Sequence, residues 1–376
     1  MTMRKQAVTQ AVDGCFIFFG DVRFDSRLQN MLRSLSKKYS QLLLLQTSEH
    51  DETFTFERCQ VQSFAVSATL RGIAKFMSFY RALVPKAFGV RAKFFCAEDI
   101  FSLPIAYWAA RRQNAQLYYD SRELFFALAQ LTKKPYKQRF WASVEAYCIR
   151  RAKVFTSGTR DSEALAARYR IKLPEVIFNY PRFHAYRRSD TLHRRLNLAE
   201  NTIILLYQGV ITQGRGIWKL LNMLTWLESH FVAVFIGEGD ELPALRRTIE
   251  ARNYHTRAFA IGRVPHEELL QLTASADIGF ALIEPISESY KLALPNKLFE
   301  YIMAGIPVVA SDLPAMKEVI ERHGTGITAS ADEDEKRLAE RVVKMTEELE
   351  KYRNRCRKAR EQLNWEAQEE RLLAFF

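Results

Sequence analysis

Unbroken apolar runs, such as LLLL within 41–45 and FVAVFI at 231–236, alternate along this chain with longer stretches whose apolar positions recur every three or four residues. Short continuous runs suit strands buried on both faces, and the wider spacing suits helices. The alternation therefore predicts α/β domains built on parallel sheets covered on both sides. In the first half, strands are expected at 15–19, 41–45, 92–96, 116–119, 154–157 and 175–178. A helix is expected over 25–38, where Asp25 and Ser26 are good caps and Leu28, Met31, Leu32 and Leu35 form one stripe. Gly20 falls in the turn between strand and helix, at a carboxyl end where open sheets bind ligands, although backbone geometry is the commoner reason for a glycine there. Asn179, Tyr180 and Pro181 break the rhythm. The second half resumes it with strands at 203–207, 231–236, 258–261, 278–282 and 308–311, and a charged helix over 332–360. The expected division is 1–184, a polar linker over 185–201, and 202–361.

A chain of 376 residues with 48% apolar content is long enough for two cores, since single cores usually stop growing near about 250 residues. The formal net charge is +12, and the excess lies in the first 184 residues, which hold 29 Lys and Arg against 15 Asp and Glu. One-sided positive charge points to a polyanionic partner. Arg71, Lys75, Arg81, Lys86, Arg91 and Lys93 are interleaved with Phe76, Phe79, Tyr80 and Phe88, and 133–141 reads KKPYKQRFW. That mixture suits an anionic membrane surface; a solvated basic face with its aromatics turned into the core gives the same pattern. No nucleic-acid-binding module is recognisable, so nucleic acid is not an expected partner. No apolar run approaches the roughly 20 residues that span a bilayer, and CFIFF at 15–19 is short for a signal core, so a cytoplasmic protein is expected, peripheral at most on the inner face of the membrane. Five cysteines without a CxxC pair indicate neither a disulfide framework nor a metal site.

The densest chemistry lies in 289–312, SYKLALPNKLFEYIMAGIPVVASD. Pro295 suits the opening turn of a helix, Gly305 and Pro307 end it, and a β-rich run follows. A helix start attracts phosphate through its N–H groups and partial charge, and Lys297 adds a full charge. Glu300, one turn further on, is able to accept two hydrogen bonds from a vicinal diol such as a ribose. An amphipathic surface helix with both side chains solvated fits the same residues.

This segment closely resembles the donor-binding motif of retaining glycosyltransferases of the family 4 type, which have the GT-B architecture of two Rossmann-like domains facing each other across a cleft. Tyr207, Gln208 and Gly209, followed by Gly214, Arg215 and Gly216, resemble the family's glycine loop. FIGEGD at 235–240, with Gly237 and Gly239, and IGRVP at 261–265, with Arg263 and Val264, resemble the strand ends around the nucleotide base. YDSRELF at 119–125 resembles a first-domain motif in which histidine usually stands where Arg122 does, and Asn364, Trp365 and Glu366 resemble the start of a final helix, 362–376, that completes the first domain.

The resemblance implies transfer of a hexose from a UDP- or GDP-linked donor to a glycan or lipid-linked acceptor hydroxyl, in cell-surface polysaccharide, lipopolysaccharide or glycolipid synthesis. It implies no cofactor and no metal, because Arg215, Lys297 and the helix start would hold the leaving diphosphate. Glu300 would hold the ribose, with Asn296 and Leu298 beside the phosphates. Arg122 would meet donor hydroxyls or an acceptor phosphate, and Gly20, Asp21, Asp25, Arg27, Asp99 and Asp120 would form the acceptor side. Leu292 stands where many members carry a first glutamate, with Glu288 or Glu284 as substitutes, and Val210 stands where arginine is frequent. A sugar-nucleotide-binding scaffold without turnover and an epimerase on the same fold are the alternatives.

Overall fold

The computed structural model describes residues 10–67, 69–70, 72–128 and 134–376, so Arg71 and Lys133 of the expected basic surface lie outside the described residues. The apolar runs become the centres of two sheets. The first contains β1 (Gln10–Phe18), β2 (Leu42–Ser48), β3 (Glu52–Phe56), β4 (Cys59–Ala65), β5 (Val90–Ala97), β6 (Gln116–Ser121), β7 (Ala152–Thr156) and β8 (Glu175–Val176), in the order β3-β4-β2-β1-β5-β6-β7-β8. Every pairing is parallel except β3 with β4. Its helices are α1 (Ser26–Lys38), α2 (Ile73–Gly89), α3 (Leu103–Gln113), α4 (Pro135–Cys148) and α5 (Thr159–Tyr169). Asp25 caps α1 as its sequence suggests, accepting from Leu28 N–H at 2.7 Å.

The second sheet is parallel throughout, with β9 (Ile203–Gln208), β10 (Phe231–Ile236), β11 (Ala258–Gly262), β12 (Ile278–Ala281), β13 (Val308–Ser311) and β14 (Gly326–Ala329) in the order β11-β10-β9-β12-β13-β14. Its helices are α6 (Thr191–Leu196), α7 (Ile217–Met223), α8 (Leu242–Ala251), α9 (His266–Thr273), α10 (Glu288–Lys291), α11 (Asn296–Ala304), α12 (Pro314–His323), α13 (Glu335–Thr346) and α14 (Leu349–Ala359). All six residues of β10 are buried, as a strand covered on both faces requires. In each sheet the winding reverses beside the first strand, between β1 and β5 and between β9 and β12, which is where doubly wound sheets bind ligands.

The chain divides into one unit that runs to Asn179 and regains Gln368–Phe376, and a second formed by Tyr180–Ala367. The segment expected as a linker holds α6, whose Leu192 is wholly buried, and Arg188 pairs with buried Asp277 at 2.8 Å, so these residues belong to the body of the second unit. The last helix, α15 (Glu366–Phe375), carries the chain back to the first unit. There Phe376 stacks on Tyr118 at 4.2 Å and meets Phe94 at 5.5 Å and Phe155 at 5.8 Å. The charged stretch expected as one helix over 332–360 is two. Leu338, Val342 and Met345 of α13 belong to the core beneath α7, whereas α14 buries Arg353 against Asp277 and Cys356 against the Ile306 carbonyl, and a single straight helix does not present both faces.

All five cysteines are buried and unpaired. The aromatics of the expected basic surface mostly turn inward: Phe79 is wholly buried, Phe76 stacks on Phe19 at 5.4 Å, and Tyr80 donates to Phe101 O at 2.7 Å. Ile73 and Met77 of α2 and Tyr136, Phe140 and Tyr147 of α4 are exposed, alongside Arg81, Lys86 and Arg139. Among the described residues no helix is long and apolar enough to cross a membrane.

Candidate functional site

In the second unit, the segments that follow the strands meet at the reversal between β9 and β12. β9 runs into the loop 209–216, which is tied across the end of β10: Gly209 N–H donates to Ile236 O at 2.9 Å and Ile211 N–H to Glu238 O at 2.8 Å. The backbones approach too closely for side chains. A Cβ on Gly237 would lie 1.8 Å from Gly209 O, and one on Gly216, which opens α7 at φ +72°, would lie 2.3 Å from Leu282 Cβ. Gly239 packs against Ile211 O in the same way, and Gly214 O accepts from Glu284 N–H at 3.0 Å. Motif glycines 209, 214, 216, 237 and 239 thus form one backbone platform.

α11 brings Lys297 and Glu300 to that platform. Lys297 is buried; its Nζ lies 3.6 Å from the centroid of the Tyr207 ring and has no hydrogen-bond acceptor among the described residues. A Cβ on Gly209 would sit 3.7 Å from this nitrogen, so the amine lies against the loop. Burial, reinforced by the Arg215 cation and opposed by Glu300, holds its pKa well below the ordinary lysine value. Arg215 sits 4.7 Å over the Tyr290 ring, and its Nε likewise has no acceptor among the described residues. The Lys297 amine and the Arg215 guanidinium, each with an unused donor among the described residues, therefore flank one helix start and one glycine loop, a setting that favours an anion.

The remaining donor-side residues are distributed as follows. Glu300 Oε2 accepts from Gln208 Nε2, and Gln208 Oε1 accepts from Thr273 Oγ1 at 2.7 Å. Asn296 is exposed at the head of α11, where no side chain caps the helix, whereas Leu298 is wholly buried and its N–H donates to Pro295 O at 3.1 Å, so it is a core residue. Exposed Arg263 and half-buried Val264 follow the end of β11. Leu292 caps α10; Glu288 is exposed and paired with Lys291 at 2.6 Å, and Glu284 is exposed. Thr273 and Tyr290 were not legible as site residues, because nothing local in α9 or α10 marks them.

At the other reversal, in the first unit, the structure corrects two expectations. Arg27 does not face outward: it is 3% exposed and donates to Asp120 from Nε at 2.7 Å and Nη2 at 2.9 Å, and from Nη1 to Ile177 O at 2.6 Å. Arg122 is not an anion receptor, because Nε, Nη1 and Nη2 are held by Asp120, Asp25 and Glu98. Three carboxylates against two guanidinium groups leave no positive excess for a phosphate. Asp99 accepts from Phe19 N–H at 2.8 Å, Asp21 holds Arg23, and a Cβ on Gly20 would lie 2.5 Å from the Phe18 ring, which would have to shift. Glu98, wholly buried at the end of β5, was missed by sequence reasoning; burial pushes its pKa up to about 7, with Arg122 acting in the opposite direction.

Residues 188–362 match the family model of the glycosyl transferases group 1. TuaC of Bacillus subtilis, named for a glycosyltransferase role in teichuronic acid biosynthesis, is 24% identical over 134 residues, 36% of this chain, and the chain spans 31% of that relative's length. The structure of Anabaena HepE in complex with UDP and glucose aligns with a TM-score of 0.74 at 16% identity, over 96% of this chain and 98% of that one. Sucrose-phosphate synthase from Thermosynechococcus elongatus aligns with a TM-score of 0.78 at 16% identity, over 97% and 98%. The fold is the GT-B fold, with two Rossmann-like α/β domains.

Proposed function

We propose that this chain, a member of the glycosyl transferases of group 1 through its residues 188–362, moves a hexose from a nucleoside diphosphate sugar to an acceptor hydroxyl with retention at the anomeric carbon. The observation that carries the proposal is the buried Lys297 amine, without an acceptor among the described residues and pressed against the glycine loop beside Arg215. Such a pair costs stability unless something anionic completes it. In sugar transfer the diphosphate departs as positive charge builds on the ring, so fixed cations and amide dipoles aimed at the phosphates lower the barrier, without a metal or cofactor in this reading. Glu300 keeps one oxygen for the ribose, and the UDP and glucose held by HepE support a UDP-linked donor. The name of TuaC supports a glycan acceptor of the cell surface.

A thermal-shift series with UDP, GDP, ADP and CDP and their sugar conjugates tests the donor site. One nucleoside diphosphate should raise the melting temperature, and Glu300→Ala should shrink the rise by weakening binding about tenfold or more, the effect of losing a charged hydrogen bond. A rise of equal size in Glu300→Ala would remove Glu300 from the site.

Membrane recruitment from the cytoplasmic side is the second part of the proposal. Ile73, Met77, Tyr136 and Phe140 are exposed among Arg81, Lys86 and Arg139, a mixture that suits the headgroup region of an anionic leaflet. The protein should co-sediment with phosphatidylglycerol vesicles and not with phosphatidylcholine vesicles, and Ile73→Glu with Met77→Glu should abolish the difference. Equal recovery with both lipids would refute this part.

A further inference from the structure

The carboxylate of Glu300 is held by a buried relay that starts at the end of α9 and passes through the residue just before the phosphate-binding loop. Gln208, the last residue of β9, is wholly buried, and its side-chain amide stands between two partners: Nε2 donates to Glu300 Oε2, and Oε1 accepts from Thr273 Oγ1 at 2.7 Å. Thr273 Oγ1 also lies 2.7 Å from Leu269 O, yet a hydroxyl carries one proton. Were that proton given to Leu269 O, the Gln208 amide would turn over to donate to Thr273 and would present its oxygen to the Glu300 carboxylate, two acceptors facing each other. The ionised carboxylate therefore sets the amide, and the amide sets the hydroxyl. The Gln208 backbone is fixed as well, since its N–H donates to Tyr301 Oη at 3.0 Å, and that hydroxyl lies within reach of Leu206 O at 3.2 Å and Phe280 O at 3.3 Å.

We infer that Gln208, oriented by Thr273, is a positioning residue that pins one oxygen of Glu300 so that the other is aimed at the ribose of the nucleotide donor. This rests on the donor-site reading above. A glutamate on the rim of a helix samples several rotamers, and a carboxylate able to swing discriminates poorly between a sugar that offers a hydroxyl and one that does not. With Oε2 engaged, the plane of the carboxylate is fixed before ligand arrives, so hydrogen bonding to the sugar carries a smaller ordering cost.

The test is calorimetric titration of the full-length chain with UDP and with 2′-deoxy-UDP. Wild type should prefer UDP by about ten- to a hundredfold, the range for a hydrogen bond to a charged group. Gln208→Leu, which keeps the volume and removes the amide, should bind the two nucleotides within about threefold of each other, chiefly through weaker UDP binding, while 2′-deoxy-UDP binding stays near the wild-type value. Thr273→Val should lie between them, and it replaces Gln208→Leu as the deciding variant if the latter does not fold. A merely structural role would weaken both nucleotides in parallel and leave the preference intact, which would overturn the inference with the donor site standing. A wild-type protein that binds neither nucleotide would remove the inference together with the UDP reading of the site.

Discussion

Lys297→Met is expected to lower kcat/KM for the sugar donor by about 10²- to 10³-fold, the loss seen when one preorganised group is removed from a developing anion. The same change should leave the melting temperature unaltered or raise it. Both halves follow from one feature: an amine in a buried position with a Tyr207 ring beside it and no acceptor among the described residues. Methionine matches the length of lysine and needs no partner, so the free protein loses an unsatisfied polar group while the reaction loses a cation. The pH dependence has a defined sign. Burial and Arg215 hold the Lys297 pKa well down in the free protein, and a bound diphosphate would raise it, so binding takes up a proton between the two values and affinity falls as pH rises through that window. Calorimetric heats measured in buffers of different ionisation enthalpy should diverge for wild type and coincide for Lys297→Met. Coincident heats for wild type would mean that the amine is already charged before the ligand arrives.

The apolar runs made the parallel sheets legible because a strand buried on both faces has a composition that little else produces, as β10 and β13 illustrate. The hairpin of β3 and β4 was not legible. Its turn places Glu57 at φ +55° where glycine or asparagine would have announced it, and its alternation is half polar at a sheet edge. The donor-side motif could be read because its chemistry is local: a glycine loop, a helix start, and a lysine and glutamate three residues apart. What closes the site is not local. Tyr207 reaches Lys297, Tyr290 reaches Arg215, and Thr273 reaches Gln208 through the parallel crossovers, and sequence spacing does not encode those meetings. The first-unit arginines were misread for the same reason. Arg27 and Arg122 look like free cations until β1, β5 and β6 bring Asp25, Glu98 and Asp120 to one point.

That point should be the most expensive single position in the first unit. Arg122→Met leaves Glu98 without a guanidinium, Asp25 with its capping role alone, and Asp120 with Arg27 only, and removal of one member from a buried ion cluster costs about 3 to 5 kcal/mol. Arg122→His should fare little better, because one imidazole does not serve three carboxylates. The loss should depend on pH. The Glu98 pKa is raised to about 7 by burial, so the folded chain holds this proton more tightly than the unfolded chain, and stability from this group is full in acid and falls as pH rises through 7. Without Arg122, which works in the opposite direction, the carboxyl rises further and the window extends upward. Urea melts of wild type and Arg122→Met should therefore differ more at pH 8 than at pH 5, and Glu98→Gln in the Arg122→Met background should recover part of the loss at pH 8. A penalty independent of pH would mean that Arg122 stabilises the unit through its packing on Phe18, 5.2 Å from the guanidinium carbon, and not through the charge of Glu98.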